Sequence, residues 1–172
     1  MRPLYAYDFD KTLVPYDSFR IYLLHLLKLR PLTISGLLVF RKLKLISSCQ
    51  LKAYITKMVE RSRILQRDAK RFAYRIYYDV QVPIDMPKDA MVLLISASPS
   101  IYMKYIAEAA TWFLLCSDYV GEKYIEMYGV TKAEALRKQY PATDYDYIYA
   151  ASDSESDLCW MKEFKQYEIL SK

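Results

Sequence analysis

Apolar stretches that do not alternate with polar residues, each stopping at a cluster of acids and hydroxyls, constrain this chain more than any other feature. Leu4-Tyr5-Ala6-Tyr7 runs straight into Asp8-Phe9-Asp10, and Met91-Val92-Leu93-Leu94-Ile95 into Ser96-Ala97-Ser98-Pro99. A strand with apolar side chains on both faces must be buried on both, which predicts parallel strands in a sheet covered on each side. Trp112 to Cys116 repeats the pattern, as does Asp146 to Ala150, which stops at Ala151-Ser152-Asp153; Tyr167 to Leu170 is a shorter strand candidate. Helical patterns lie between them: Ile101 to Ala110 after Pro99-Ser100, Lys132 to Gln139 with Thr131 as N-cap, and Asp157 to Phe164. Strands alternating with helices predict an α/β fold built on a parallel sheet.

Residues 18–82 break the alternation, because they are helical in pattern throughout. Phe19, Tyr22, Leu23, Leu26 and Leu27 share one face at helical spacing behind a cap at Asp17 or Ser18. Gln50 to about Tyr78 predicts one long, charged amphipathic helix, and Pro83 and Pro87 end the segment. With 172 residues, 53% of them apolar, the chain suits one compact domain carrying one insertion and is neither disordered nor fibrous. The predicted division is a core of 1–17 plus 88–172 and a helical insertion of 18–87.

Charge follows the same division. The insertion holds 14 Lys and Arg against four acids, a net +10, which leaves 11 against 16 elsewhere, a net −5. A basic segment in an acidic frame suggests an anionic partner: a phosphate, a membrane surface or nucleic acid. The alternative is that these residues only solubilise a very apolar helical region. Lys28, Arg30, Arg41, Lys42 and Lys44 interrupt the apolar stretch from Ile21 to Ile46, so no uninterrupted run approaches the roughly 20 residues of a membrane span.

Two chemistries are excluded early. Cys49, Cys116 and Cys159 are odd in number and far apart, which offers neither a disulfide framework nor a thiolate zinc site and points to a reducing, cytoplasmic compartment. His25 is the sole histidine and stands in an apolar stretch, so any catalysis runs on carboxylates. Asp8 also interrupts any signal-peptide apolar region at the N-terminus.

The carboxylates gather at the predicted strand ends, where open parallel sheets bind ligands. Asp8 and Asp10 are two apart in extended chain with Thr12 following, and Asp153 and Asp157 are four apart at a strand-to-helix turn. Four acids converging on one edge repel unless a cation joins them, and oxygen-only ligation suits Mg²⁺. Ser96 and Lys132 would add a hydroxyl and a cation suited to a phosphoryl group.

Asp8-Phe9-Asp10-Lys11-Thr12-Leu13, Ser96-Ala97-Ser98-Pro99, Lys132 and Ser152-Asp153-Ser154-Glu155-Ser156-Asp157 together resemble the four motifs of the haloacid dehalogenase superfamily, in its phosphoserine phosphatase-like branch. The resemblance implies a Rossmann-like α/β core with an inserted all-helical cap. It also implies an Mg²⁺-dependent phosphomonoester hydrolase working through an aspartyl-phosphate. Asp8 would be the nucleophile and Asp10 the general acid and then base; Thr12, Ser96, Ala97 and Lys132 would form the phosphoryl-binding set, with Thr12 orienting Asp10. Asp8, the Asp10 carbonyl and Asp153 would hold Mg²⁺, with Asp157 as a further ligand or support. Lys11 stands where such motifs usually carry Gly, Ser154 and Glu155 replace a more typical Gly or Asn pair, and Lys123 competes with Lys132, which is preferred because it opens a helix before the fourth motif.

The expected substrate is a small phosphorylated metabolite or a phospholipid, the latter because Asp17-Ser18-Phe19 and the Leu-rich stretch after it are similar to the branch containing phosphatidylglycerophosphate phosphatases. Peripheral membrane contact through the cap accompanies that reading; no nucleic acid partner is expected. The alternative is a catalytically silent phosphatase-fold or receiver-like module that binds an anionic membrane or partner, and the retained Asp10 argues against it.

Overall fold

A computed structural model of the chain describes residues 1–87 and 89–170; Lys88, Ser171 and Lys172, within the predicted core, lie outside them. In chain order the elements are β1 (Arg2–Tyr7), α1 (Ser18–Leu29), α2 (Pro31–Lys42), α3 (Ser48–Glu60), α4 (Arg63–Tyr77), β2 (Met91–Pro99), α5 (Ser100–Ala110) and β3 (Phe113–Val120). They continue with β4 (Lys123–Ile125), α6 (Val130–Gln139), β5 (Tyr145–Ser152), a 3₁₀ turn at Glu155–Asp157, α7 (Leu158–Met161) and β6 (Gln166–Ile169). The sheet order is β4-β3-β2-β1-β5-β6, parallel throughout except for the antiparallel β3–β4 edge. This is the Rossmann-like α/β core, with four helices inserted between its first two strands.

The non-alternating strands are buried on both faces. Tyr5 and Tyr7 of β1 and Val92 and Leu94 of β2 join one cluster with Leu26, Ile34, Ile55, Phe72 and Tyr102. Leu4, Ala6, Leu93 and Ile95 point into a second cluster with Leu136, Trp160, Met161 and Phe164. The inserted helices therefore share the core of one sheet face. Each fully buried Leu, Ile or Phe there contributes roughly 1.5–3 kcal/mol of burial.

Local chemistry sets the helix ends. Asp17 caps α1 by accepting from Arg20 N at 2.8 Å, and Ser47 and Gln50 form a reciprocal capping box at α3. The single helix expected from Gln50 to Tyr78 is instead two. Arg61 N and Ser62 N close α3 onto Lys57 O and Val59 O, and the Ser62 hydroxyl accepts from Leu65 N to open α4. Thr131 is not an N-cap: α6 begins at Val130 behind Gly129, whose φ of 53° suits glycine. The helix expected over Asp157 to Phe164 is only the 3₁₀ turn and one helical turn, after which the chain bends into β6. β4, absent from the sequence reading, pairs Val120 with Lys123 across Gly121-Glu122. Among the described residues no helix is long and apolar enough to cross a membrane.

Candidate active site

The parallel register puts the ends of β1, β2 and β5 in one row. Tyr7 pairs with Leu94 on one side and Ala151 on the other, and Asp8 N donates to Ala151 O at 2.9 Å. Asp8, Ala97, Ser98 and Asp153 therefore emerge on the same edge. A cleft of about 250 Å³ opens there, lined also by Asp10, Lys132 and Asp157 and, from the inserted helices, Phe19 and Lys52.

Lys132, in the first turn of α6, places Nζ 2.7 Å from Asp8 Oδ1 and 2.7 Å from Asp157 Oδ2. Ser152 Oγ donates to the same Asp157 oxygen at 2.7 Å. All three charged groups are buried. Burial is the largest influence on Asp8 and raises its pKa from 3.8 to about 7, against the pull of Lys132. Burial is also the largest influence on Lys132 and opposes its charge, but Asp8 and Asp157 outweigh it and its pKa is raised. Lys132 is thus a fixed cation beside Asp8. Lys123, its sequence competitor, lies exposed on β4 and does not line the cleft.

Asp10 occupies a different environment. The N–H of Ser18, one of the first-turn donors left without helical partners, donates to Oδ1 at 2.6 Å, and Ser98 Oγ donates to Oδ2 at 2.6 Å. Ser18 Oγ in turn lies 3.0 Å from Tyr102 OH. Burial raises the Asp10 pKa, and the hydrogen bonds from Ser18 and Ser98 moderate the rise. Two carboxylates two residues apart are thereby held in unlike settings, one facing an ammonium and one facing hydroxyl and amide donors. Burial raises the pKa of both, so their hydrogen-bonding partners and not the direction of the shift distinguish them.

The remaining predicted residues sit as follows. Thr12 is buried and its Oγ1 accepts from Asp153 N at 2.9 Å, joining the loop after β1 to the loop after β5. Ser96 is fully buried with its Oγ accepting from Ser98 N at 3.1 Å; Ala97 and Ser98, not Ser96, line the cleft. Asp153 lines the cleft, and its carboxylate makes no hydrogen bond or ion pair among the described residues. The four acids do not form one cluster: among the described residues no three His, Cys, Asp or Glu side chains gather as a metal site. Lys132 separates Asp157 from that role, and Asp10 turns to Ser18 and Ser98. His25 lies outside the cleft, bonded to Asp68 at 2.8 Å beside Tyr22 and Phe72.

Sequence reading missed four contributors. Ser98 and Ser18 reach Asp10, and Tyr102 reaches Ser18, only through packing. Lys52 of α3 crosses to the end of β2 and to the residue after β4, donating to Ala97 O at 2.8 Å and Glu126 Oε1 at 2.6 Å. Ser98 stood in a quoted motif, whereas Lys52 was one of many basic residues with no local mark. Lys11 has φ 58°, the left-handed region that favours glycine, in accord with the glycine usual there.

The family model for haloacid dehalogenase-like hydrolases matches residues 6–162. Among solved structures, the chain is similar to a protein of unknown function from Bordetella pertussis Tohama I, with 16% identity, a TM-score of 0.64 and coverage of 97% of this chain and 89% of that one. It is similar to a phosphoserine phosphatase solved as a phospho-aspartyl intermediate analogue, at 13% identity, TM-score 0.52 and coverage of 96% and 85%. It is similar also to a probable phosphoserine phosphatase from Vibrio cholerae, at 13% identity and TM-score 0.56, covering 97% of this chain and 55% of that one. No curated protein matches the sequence.

Proposed function

The chain belongs to the haloacid dehalogenase-like hydrolase family, and we propose that it is a phosphatase that hydrolyses phosphomonoesters through Asp8. The observation that carries this reading is the unlike treatment of the two acids: Asp8 against Lys132 at 2.7 Å in the cleft, Asp10 on Ser18 and Ser98.

An Asp8 oxygen attacks phosphorus, the bond from phosphorus to the leaving alkoxide breaks, and the protonated Asp10 supplies the proton that makes the alcohol. Asp10, now a carboxylate, takes a proton from water as that water attacks the phosphorus of the aspartyl-phosphate. Asp8 and inorganic phosphate are released, and Asp10 is again protonated. Lys132 offsets the repulsion between an anionic nucleophile and an anionic phosphate. Asp157 and Ser152 hold Lys132 in place, and Ala97 and Ser98 border the phosphoryl site from β2, with Ser96 bracing that strand end through Ser98 N. Thr12 ties the two acidic loops together.

The donor chemistry also suits Mg²⁺. Asp8 and Asp153 line the same cleft and would hold the ion with the Asp10 carbonyl, an oxygen-only set; the Asp153 carboxylate is unengaged among the described residues, and burial disfavours the charge on Asp8, which a cation beside it would relieve. When bound, Mg²⁺ would neutralise charge on the phosphate and on Asp8. Residues 18–87 supply the wall against which the leaving alcohol lies, through Phe19 and Lys52, whether that alcohol belongs to a small metabolite or a lipid headgroup.

Hydrolysis of a generic aryl phosphate with and without Mg²⁺ tests the proposal. Asp8→Asn should abolish turnover with the fold intact, because it removes the attacking charge at almost constant volume. Asp10→Asn should lower turnover by about 10²–10⁴-fold while Mg²⁺ affinity measured by calorimetry is largely kept. Substantial turnover in Asp8→Asn would refute the mechanism.

A further inference from the structure

α2 is an apolar helix that packs on the core through Ile34, Leu37 and Leu38 and leaves its other face uncovered. Of its 12 residues only Ile34 is buried. Leu32, Gly36, Val39, Phe40 and the following Leu43 recur at i, i+4, i+7, i+8 and i+11, which is one face of a helix. That face meets solvent: Leu32 is 90% exposed and Leu43 62%, Val39 and Phe40 are half-exposed, and a Cβ built on Gly36 meets no atom within 4 Å. Leu24 and Leu29 of α1 and Leu45 beyond α2 are exposed as well. An apolar stripe left in solvent along a helix marks a docking surface.

The charges around it choose the occupant. Residues 18–59 contain eight Lys and Arg and no Asp or Glu. Six of the eight, Arg20, Lys28, Arg30, Arg41, Lys42 and Lys44, belong to the α1–α2 hairpin and the turn after it. A second copy of the chain docked face to face would set like charges against each other with no acid to offset them. An anionic bilayer supplies the opposite sign, and it accepts a helix lying in the interface with its apolar stripe inward and its basic side chains at the headgroups. The basic residues that crowd the stripe's C-terminal end, Arg41, Lys42 and Lys44, are exposed.

We infer that the α1–α2 hairpin is a membrane-docking face that binds anionic lipid surfaces peripherally through the stripe of Leu32, Val39, Phe40 and Leu43. The inference does not depend on the phosphatase reading, because none of these residues lines the cleft. The face lies in the same insertion that supplies the cleft with Phe19 and Lys52.

Sedimentation with phosphatidylcholine vesicles and with equimolar phosphatidylcholine and phosphatidylglycerol vesicles tests it. The full-length protein should bind the anionic vesicles, more weakly as salt rises, and not the neutral ones. Arg41→Gln with Lys42→Gln and Lys44→Gln should weaken binding on the order of 100-fold, since each basic residue near the surface contributes about fivefold. Leu32→Ser with Phe40→Ser should also abolish sedimentation. Both variants should keep the wild-type circular dichroism, melting temperature and aryl phosphate hydrolysis. Equal binding to both vesicles, no binding to either, or a stripe-dependent dimer by analytical ultracentrifugation without lipid binding would overturn the inference.

Discussion

Replacing Lys132 by Met removes the cation held between Asp8 and Asp157 while keeping most of the side-chain volume. At 2.7 Å each contact corresponds to roughly 6 kcal/mol at an effective dielectric of about 20, before the cost of several kcal/mol for taking each ion out of water. The substitution loses both contacts and leaves two buried carboxylates facing each other. Breaking a buried pair by deleting one partner typically costs about 3–5 kcal/mol, and that is the expected loss at about pH 8 without Mg²⁺. The loss depends on pH with a definite sign. The folded-state pKa of Asp8, about 7, already exceeds the 3.8 of the free group, and without the ammonium it rises further. A carboxyl group with a raised folded pKa gives a folded state that holds more protons than the unfolded chain, so stability falls as pH rises between the two values. The deficit of Lys132→Met should therefore be largest above about pH 7 and shrink toward pH 4, where Asp8 is protonated in the folded protein. Urea unfolding followed by tryptophan fluorescence measures it, and Trp160, whose ring centroid lies 5.9 Å from Lys132 Nζ, reports on the site directly. A deficit below about 1 kcal/mol, the range of exposed ion pairs, or one that does not change with pH, would refute the buried triad.

Three further outcomes follow from the same contacts. Lys52→Met should lower the unfolding free energy by about 1.5–3 kcal/mol, and combining it with Glu126→Gln should cost less than the sum of the single effects in a urea double-mutant cycle. Lys11→Gly should raise the melting temperature slightly, because relief of left-handed strain of about 1–2 kcal/mol exceeds the added freedom of the unfolded chain; a lowered melting temperature would show that the Lys11 side chain has stabilising contacts. The acid limb of kcat/KM should reflect ionisation of Asp8 near pH 7 at low Mg²⁺ and move to lower pH as Mg²⁺ is raised, which a pH–rate series at several Mg²⁺ concentrations would show.

Much of this architecture was legible because burial on both faces leaves a mark along a single strand. β1, β2, β3, β5 and β6 each stand where an apolar run predicted a strand, and the helical character of the inserted segment followed from its periodicity. The acidic pairs and their place at strand ends were equally local, two and four residues apart. The misses have physical causes. α3 and α4 were joined because apolar periodicity continues through Arg61-Ser62, although Ser62 three residues before Leu65 was a readable cap. β4 has three residues and pairs only across a tight turn, too short to show a pattern.

What the sequence determined by itself is therefore the α/β core, the helical insertion and the two acidic motifs, since each depends on periodicity or spacing within a few residues. The tertiary structure alone decided which groups meet: Lys132 with Asp8 across 124 positions, Ser98 with Asp10 across 88, Lys52 with Ala97 of β2 across 45. It also decided that α2 keeps an apolar face in solvent. Periodicity records that a face is apolar, but whether a neighbouring element covers it, and which distant side chain enters hydrogen-bond range, depends on packing geometry summed over the whole chain.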